Sequence, residues 1–65
     1  MISAKSLKVR KNLSDKNSPI VTLLLDYGSI CSVKYDDDHV IIGLNNGQFF
    51  LATMESWKHY YCMQP

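Results

Sequence analysis

The sequence predicts a mainly β fold, a small antiparallel meander of four to five strands followed by a short C-terminal helix. Three observations support this prediction: short apolar runs separated by turn residues, an Asn-Gly pair between two such runs, and a last segment with helical spacing of its apolar residues. A chain of 65 residues, 46% of them hydrophobic, is the size of one domain. We therefore treat residues 1–65 as a single small β domain.

The first strand is predicted at about residues 6–10, where Leu7 and Val9 alternate with Lys8 and Arg10. Residues 11–19 are polar and rich in Asn, Ser and Asp. These side chains bond readily to nearby backbone groups and so compete with a sheet ladder. We expect residues 11–19 to be the longest loop.

The second predicted strand follows Pro19 and covers residues 20–25, which are apolar except for Thr22. Proline can begin a strand, and a run without alternation is typical of a strand that is buried on both faces. We therefore expect residues 20–25 to form the central strand of the core.

Residues 26–29 then provide turn chemistry, with Gly28 free to take a positive φ. Period-two alternation resumes in residues 30–35. In that third strand Cys31, Val33 and Tyr35 are expected on one face, with Ser32 and Lys34 on the other.

Two tight connections follow. Residues 36–38 are three aspartates and predict a solvated turn. Asn45-Asn46-Gly47 lies between a β-branched run and an aromatic run, which predicts a hairpin that joins strands near 40–44 and 48–53. Because Asn and Gly both tolerate positive φ, the expected connection is a type I′ turn.

Residues 54–63 are expected to be a helix or a strand. Met54, Trp57 and Tyr61 have helical spacing, and Thr53 is placed to cap a helix. Trp57 and Tyr61 also fit period two, so a strand is the alternative. With either ending, the element order suits a small SH3-like barrel or a sheet with one helix across it.

Several chemistries are disfavoured. A core this small leaves little room for a substrate pocket of about 300 Å³, and the motifs of nucleophilic and phosphate-binding sites are missing from the sequence. We therefore expect no enzyme activity, no small-molecule substrate and no cofactor. The spacing of Cys31, His39, His59 and Cys62 lacks the two close ligand pairs of structural zinc sites, so no metal site is expected either, and these cysteines should be buried and these histidines exposed.

Cellular location is predicted from two features. The longest apolar run is far too short to span a bilayer, and no secretion signal follows Met1, so no membrane association is expected. Both cysteines are expected to be free thiols, as in the cytoplasm.

Protein binding is the predicted function, as an adaptor, regulator or inhibitor that binds a protein partner or forms a homodimer. Its candidate contact residues are the aromatic and soft apolar side chains near the C-terminus, which are Trp57, Tyr60, Tyr61 and Met63. Because these aromatics point in different helical directions, one large ring should stay exposed. The sequence thus predicts that Tyr60→Ala weakens association while the monomer stays folded.

Nucleic-acid binding by a small β-barrel is the alternative. Five basic residues against Asp15 alone give residues 1–16 a net charge of +4, whereas residues 17–65 carry two basic and five acidic side chains, a net −3. The candidate contacts are Lys5, Lys8, Arg10, Lys11 and Lys16. Replacing Lys8, Arg10 and Lys11 with Gln is expected to change stability little, because exposed charges contribute about 0–1 kcal/mol each.

Overall fold

The predicted mainly β fold is confirmed in the computed structural model, which describes residues 4–62. Five antiparallel strands form one open sheet, and a single α-helix follows the last strand. The elements are β1 (Ala4–Arg10), β2 (Ile20–Asp26), a 3-10 turn η1 (Tyr27–Ser29), β3 (Ile30–Asp36), β4 (His39–Leu44), β5 (Phe49–Thr53) and α1 (Met54–Cys62). The C-terminal segment is therefore a helix rather than a strand.

The sheet has the strand order β2-β1-β5-β4-β3, so the two edge strands are consecutive in the chain. A flat sheet of this width would separate its edges by about 19 Å, since neighbouring strands lie about 4.8 Å apart. The three residues of η1 reach no more than about 14 Å. The sheet must therefore curl, which brings the end of β2 towards the start of β3.

The core lies against one face of the sheet, which we call the inner face. Opposite positions in the ladder place Val9, Ala52 and Val40 side by side on this face. Helix α1 adds Trp57 and Tyr60 to the same cluster. The other buried members are Leu7, Leu25, Ile42 and Leu44.

Strand β2 corrects the expectation of a central, doubly buried strand. It is an edge strand, paired only with β1 in the part of the chain that the structure describes. Leu25 is buried, but Ile20 and Val21 are exposed, and Leu24 is 72% exposed. The run does not alternate because its solvent-facing positions are apolar too.

The 11–19 segment is a polar loop, as predicted, and is organised around Ser18. The buried Ser18 hydroxyl donates to Asp15 O at 2.7 Å and accepts from Asn12 N at 3.1 Å. Lys11 N donates to Pro19 O at 2.8 Å and closes the loop. Local bonds of this kind replace a ladder.

The β4–β5 hairpin is present, but its turn differs from the predicted type I′ geometry. Gly47 N donates to Leu44 O at 3.0 Å, and Leu44 N donates to Gln48 O at 2.8 Å. Of the three loop residues only Gly47 has a positive φ, of 91°. This is the pattern of a three-residue loop, in which a turn without positive φ is followed by a left-handed glycine.

Helix α1 begins as the sequence predicts. The Thr53 hydroxyl accepts a hydrogen bond from Ser56 N at 3.1 Å, which satisfies one of the free amides of the first turn. The helix has nine residues. Among residues 4–62 no helix has the length and apolar character that crossing a membrane would require.

Candidate functional site

The C-terminal aromatics are divided between the core and the surface. Trp57 and Tyr60 are 4% and 2% exposed, and their rings stack with centroids 5.7 Å apart. The Tyr60 hydroxyl donates to Leu25 O at 2.7 Å, which fixes α1 to β2. Burial raises the pKa of the Tyr60 phenol, so the ring remains a neutral hydrogen-bond donor.

Trp57 and Tyr60, both predicted to contact a partner, are thus core residues of this chain. Positions i and i+3 of α1 both face the sheet, so the two rings that were expected to diverge lie together. Tyr61 is 39% exposed, with its ring 5.5 Å from that of Trp57, and is the aromatic that stays accessible on α1. Met63 lies outside the described residues.

The basic side chains of the first 16 residues do not form one free surface. Lys16 Nζ lies 3.3 Å from Asp36 Oδ2 and 3.7 Å from Asp37 Oδ2, and the hydrogen bond to Asp36 raises the pKa of Lys16. Lys8 and Lys11 are exposed, whereas Lys5 is half-buried. The candidate nucleic-acid contacts are thus split among several environments.

Arg10 belongs to a partly buried polar relay that no local pattern in the sequence predicts. Its Nε donates to His39 Nε2 at 3.3 Å, and its Nη1 donates to Ser18 O at 3.0 Å. The other ring nitrogen of His39, Nδ1, lies 2.7 Å from Asp38 Oδ1. The relay links β1, the 11–19 loop and the 36–38 turn.

Both ring nitrogens of His39 have partners within the relay. With Arg10 donating to Nε2, the tautomer that completes both bonds has its hydrogen on Nδ1 and donates it to Asp38. A general base needs a free nitrogen lone pair that faces its substrate. Here the lone pair of Nε2 is already used by Arg10, and the ring is buried.

The His39 hydrogen bond gives Asp38 a defined effect on pH dependence. This bond lowers the pKa of the Asp38 carboxyl, so the folded state favours the carboxylate. The resulting stabilisation is complete near neutral pH and is lost as the pH falls through the lowered pKa, below about pH 4.

We expect Asp38→Asn to be less stable than the wild type at neutral pH and to converge with it in acid. Urea unfolding of both proteins at several pH values between about 7 and 3 measures this difference. Asp37→Asn is the matched control, because Asp37 lies one residue away, has no bond to His39 and, within the described part of the chain, is paired only with Lys16, at 3.7 Å on the surface. Any convergence of this control with the wild type should therefore be much smaller. A constant difference between Asp38→Asn and wild type at every pH would contradict the proposed relay.

Both cysteines and His39 differ from expectation in their burial, whereas His59 is exposed as predicted. Cys31 and Cys62 are unpaired and exposed, whereas His39 is buried. Cys31 was expected among core residues, but the register shift between Ile30 and Ser32 falls at this position of an edge strand. No group of three His, Cys, Asp or Glu side chains within residues 4–62 could hold a metal ion.

Two open grooves flank the first turn of α1. One, of about 790 Å³, lies between α1 and β1 and is lined by Lys5, Lys8, Glu55, His59 and Tyr60, among others. The second, of about 560 Å³, includes Arg10, His39 and Lys58. Both volumes exceed the figure of about 300 Å³ for which the sequence predicted little room. The grooves form between surface elements rather than inside the core. Their charges are mixed in sign.

Exposed apolar side chains are concentrated at the two edges of the sheet. On β3, Val33 and Tyr35 pair with the fully buried Ile42 and Val40, so they extend the inner face to an edge where it is uncovered. We call Val33 and Tyr35 the β3 patch. Tyr35 is 60% exposed.

The β2 edge carries a second exposed set, Ile20, Val21 and Leu24. Sequence reasoning assigned these residues to the core. A signal that could have separated the two interpretations is the preceding polar loop with Pro19, since proline within a sheet is confined to edge strands, strand starts and bulges.

Comparison with protein-family models, with characterised proteins and with solved structures finds no match to this chain.

Proposed function

We propose that this protein is a small non-enzymatic protein-binding module, an adaptor, regulator or inhibitor, that contacts its partner through the β3 patch. The observation that carries the proposal is the exposure of Val33 and Tyr35 directly beside the buried core positions Ile42 and Val40. A partner that covers them extends an existing apolar surface at little structural cost. Aromatic side chains at the border of such a surface are frequent interface anchors.

Two further features support this class of function. The curled sheet, with a 3-10 turn between β2 and β3, favours an SH3-like shape. The exposed thiols of Cys31 and Cys62 support a reducing compartment such as the cytoplasm, because exposed cysteines tend to oxidise elsewhere.

Two observations disfavour the other functions. The bonds of the relay disfavour enzyme activity, and the distribution of the basic side chains disfavours nucleic-acid binding. His39 and Asp38 are the residues that most resemble a catalytic pair. They are bonded to each other, and His39 also accepts a hydrogen bond from Arg10. Of the basic candidates, Lys16 is paired with acidic side chains, while Lys8 and Lys11 are the exposed ones. A few exposed lysines supply less of the phosphate neutralisation from which most nucleic-acid affinity arises.

The test compares capture by the immobilised wild-type chain with capture by variants, using lysate of the source organism at about 50 and 200 mM salt. The patch variant is Val33→Ser with Tyr35→Ser. Its matched control is Tyr27→Ser, which removes an exposed aromatic from η1. A charge variant, Lys8→Gln with Lys11→Gln, addresses the alternative.

We expect the wild type, Tyr27→Ser and the charge variant to capture the same protein at both salt concentrations. The amount of that protein captured by the patch variant should be at least tenfold lower. Binding to a labelled oligonucleotide, measured by fluorescence anisotropy, should be absent at micromolar concentration. Salt-sensitive oligonucleotide binding that the charge variant abolishes would instead establish nucleic-acid recognition, since salt weakens phosphate contacts steeply.

A further inference from the structure

We propose that two copies of this chain associate by antiparallel pairing of their β2 strands about a two-fold axis at Thr22. The surface is the edge of β2 that pairs with no strand among residues 4–62, at the opposite side of the sheet order from the β3 patch. The inference extends the proposed binding function to a second surface, and its test measures molecular mass rather than partner capture, so either proposal can fail without the other.

The register of the β1–β2 ladder determines which backbone groups of β2 are left to bond a second copy. Lys11 and Pro19 form a hydrogen-bonded pair, and such pairs alternate with non-hydrogen-bonded pairs along an antiparallel ladder. Val21 and Leu23 are therefore hydrogen-bonded to β1. The amide and carbonyl groups of Ile20, Thr22 and Leu24 consequently point away from β1, where the described residues place no other strand.

The two edges of the sheet differ in their protection against pairing. Strand β3 carries Lys34 at its centre and a register shift near its start, both of which discourage addition of a strand. Strand β2 has no charged residue and no proline from Ile20 to Leu25. The mostly apolar stretch of residues 20–25 lacks such protection, and an edge of this kind is a template for another strand.

A second copy of β2 fits this edge better than an arbitrary strand does. With the two-fold axis at Thr22, Ile20 lies opposite Leu24 of the second copy, and Val21 lies opposite its Leu23. The exposed side chains of Ile20 and Leu24 then cover one another. The outward amide and carbonyl groups of residues 20, 22 and 24 would then form three hydrogen-bonded pairs between the two copies. Each such pair exchanges two bonds, which gives about six backbone hydrogen bonds.

The charges at the ends of β2 agree with this arrangement. Asp26 ends the strand, whereas Arg10 and Lys11, at the end of the neighbouring strand β1, lie beside its beginning. Antiparallel pairing brings each Asp26 towards the basic end of the other copy. No like charges face each other at positions 20–24, because that segment is uncharged.

Sedimentation velocity of the wild-type chain from about 1 µM to 1 mM measures the association. We expect a reversible monomer–dimer equilibrium that Leu24→Lys weakens at least tenfold. Tyr35→Lys is the matched control, since it places the same charge at a similarly exposed position on the other edge, and it should leave the equilibrium unchanged. Circular dichroism verifies that both variants are folded.

Cross-linking tests the register. In a Cys31→Ser, Cys62→Ser background, Thr22→Cys places two thiols at the two-fold axis. A hydrogen-bonded pair has a Cα separation of about 5.5 Å, within the range of a disulfide. Ile20→Cys is the control, because position 20 faces position 24 of the other copy rather than itself.

We expect mild oxidation to give a covalent dimer with Thr22→Cys and much less with Ile20→Cys. A chain that stays monomeric at about 1 mM, or dimerisation that Tyr35→Lys abolishes and Leu24→Lys leaves intact, would overturn the proposal. Equal cross-linking by the two cysteine variants would overturn the proposed two-fold axis.

Discussion

Tyr60→Ala is expected to lower the free energy of unfolding by about 3–5 kcal/mol, the usual cost of deleting a large buried aromatic side chain. The ring is 2% exposed, stacks on Trp57 and bonds to Leu25 O. At about 0.05–0.15 kcal/mol per residue, a chain of 65 residues has about 3–10 kcal/mol of total stability. The loss is therefore a large fraction of the total stability, and the urea midpoint of the variant should fall well below that of the wild type.

Urea unfolding followed by the fluorescence of Trp57, the only tryptophan, measures this loss. Tyr61→Ala removes the neighbouring half-exposed ring and should cost about 1 kcal/mol or less. Tyr60→Phe keeps the packing and removes the hydrogen bond, for a loss of about 1 kcal/mol. If Tyr60→Ala kept wild-type stability and weakened only association, the contact role predicted from the sequence would be restored.

Arg10→Gln is expected to cost about 2 kcal/mol, the penalty for leaving a buried polar group without its partner. The substitution removes the donor to His39 Nε2 and the donor to Ser18 O together. This result would differ from the sequence-based expectation that the N-terminal basic residues contribute little to stability.

Lys8→Gln is the matched control, because Lys8 lies two residues away on the same face of β1 and is exposed. Its effect should stay below about 1 kcal/mol. Chemical unfolding of the two variants under the same conditions gives the comparison. Equal, small losses in both would contradict a structural role for the relay.

The sequence was sufficient for the elements whose signals are local. The hairpin at Asn45-Asn46-Gly47, the polar loop at 11–19 and the Thr53 cap each depend on neighbouring residues, and each is present. The predicted turn type was wrong because the composition of the loop shows only that its residues tolerate a positive φ. The composition does not show which of them adopts one. In the structure that residue is Gly47.

The candidate surfaces were less accessible to sequence reasoning because burial depends on strand order. An apolar run without alternation has the same appearance in a central strand and in an uncovered edge strand, so β2 was assigned to the core. The direction of Trp57 and Tyr60 depends on how α1 lies on the sheet. The Arg10–His39 contact joins residues 29 positions apart, and no local pattern predicts it.

The single register pair between β1 and β5, Val9 with Ala52, has a consequence for how the chain folds. The β1–β2 hairpin and the β3–β4–β5 unit are each built from neighbours in sequence, and fast local steps can form both. They meet at this short seam, beneath α1, and through the side-chain contacts of Arg10 with His39 and of Lys16 with Asp36. Docking of the two preformed halves should therefore be the slow event in folding, and separation of the halves at the seam should be the first large opening of the native protein.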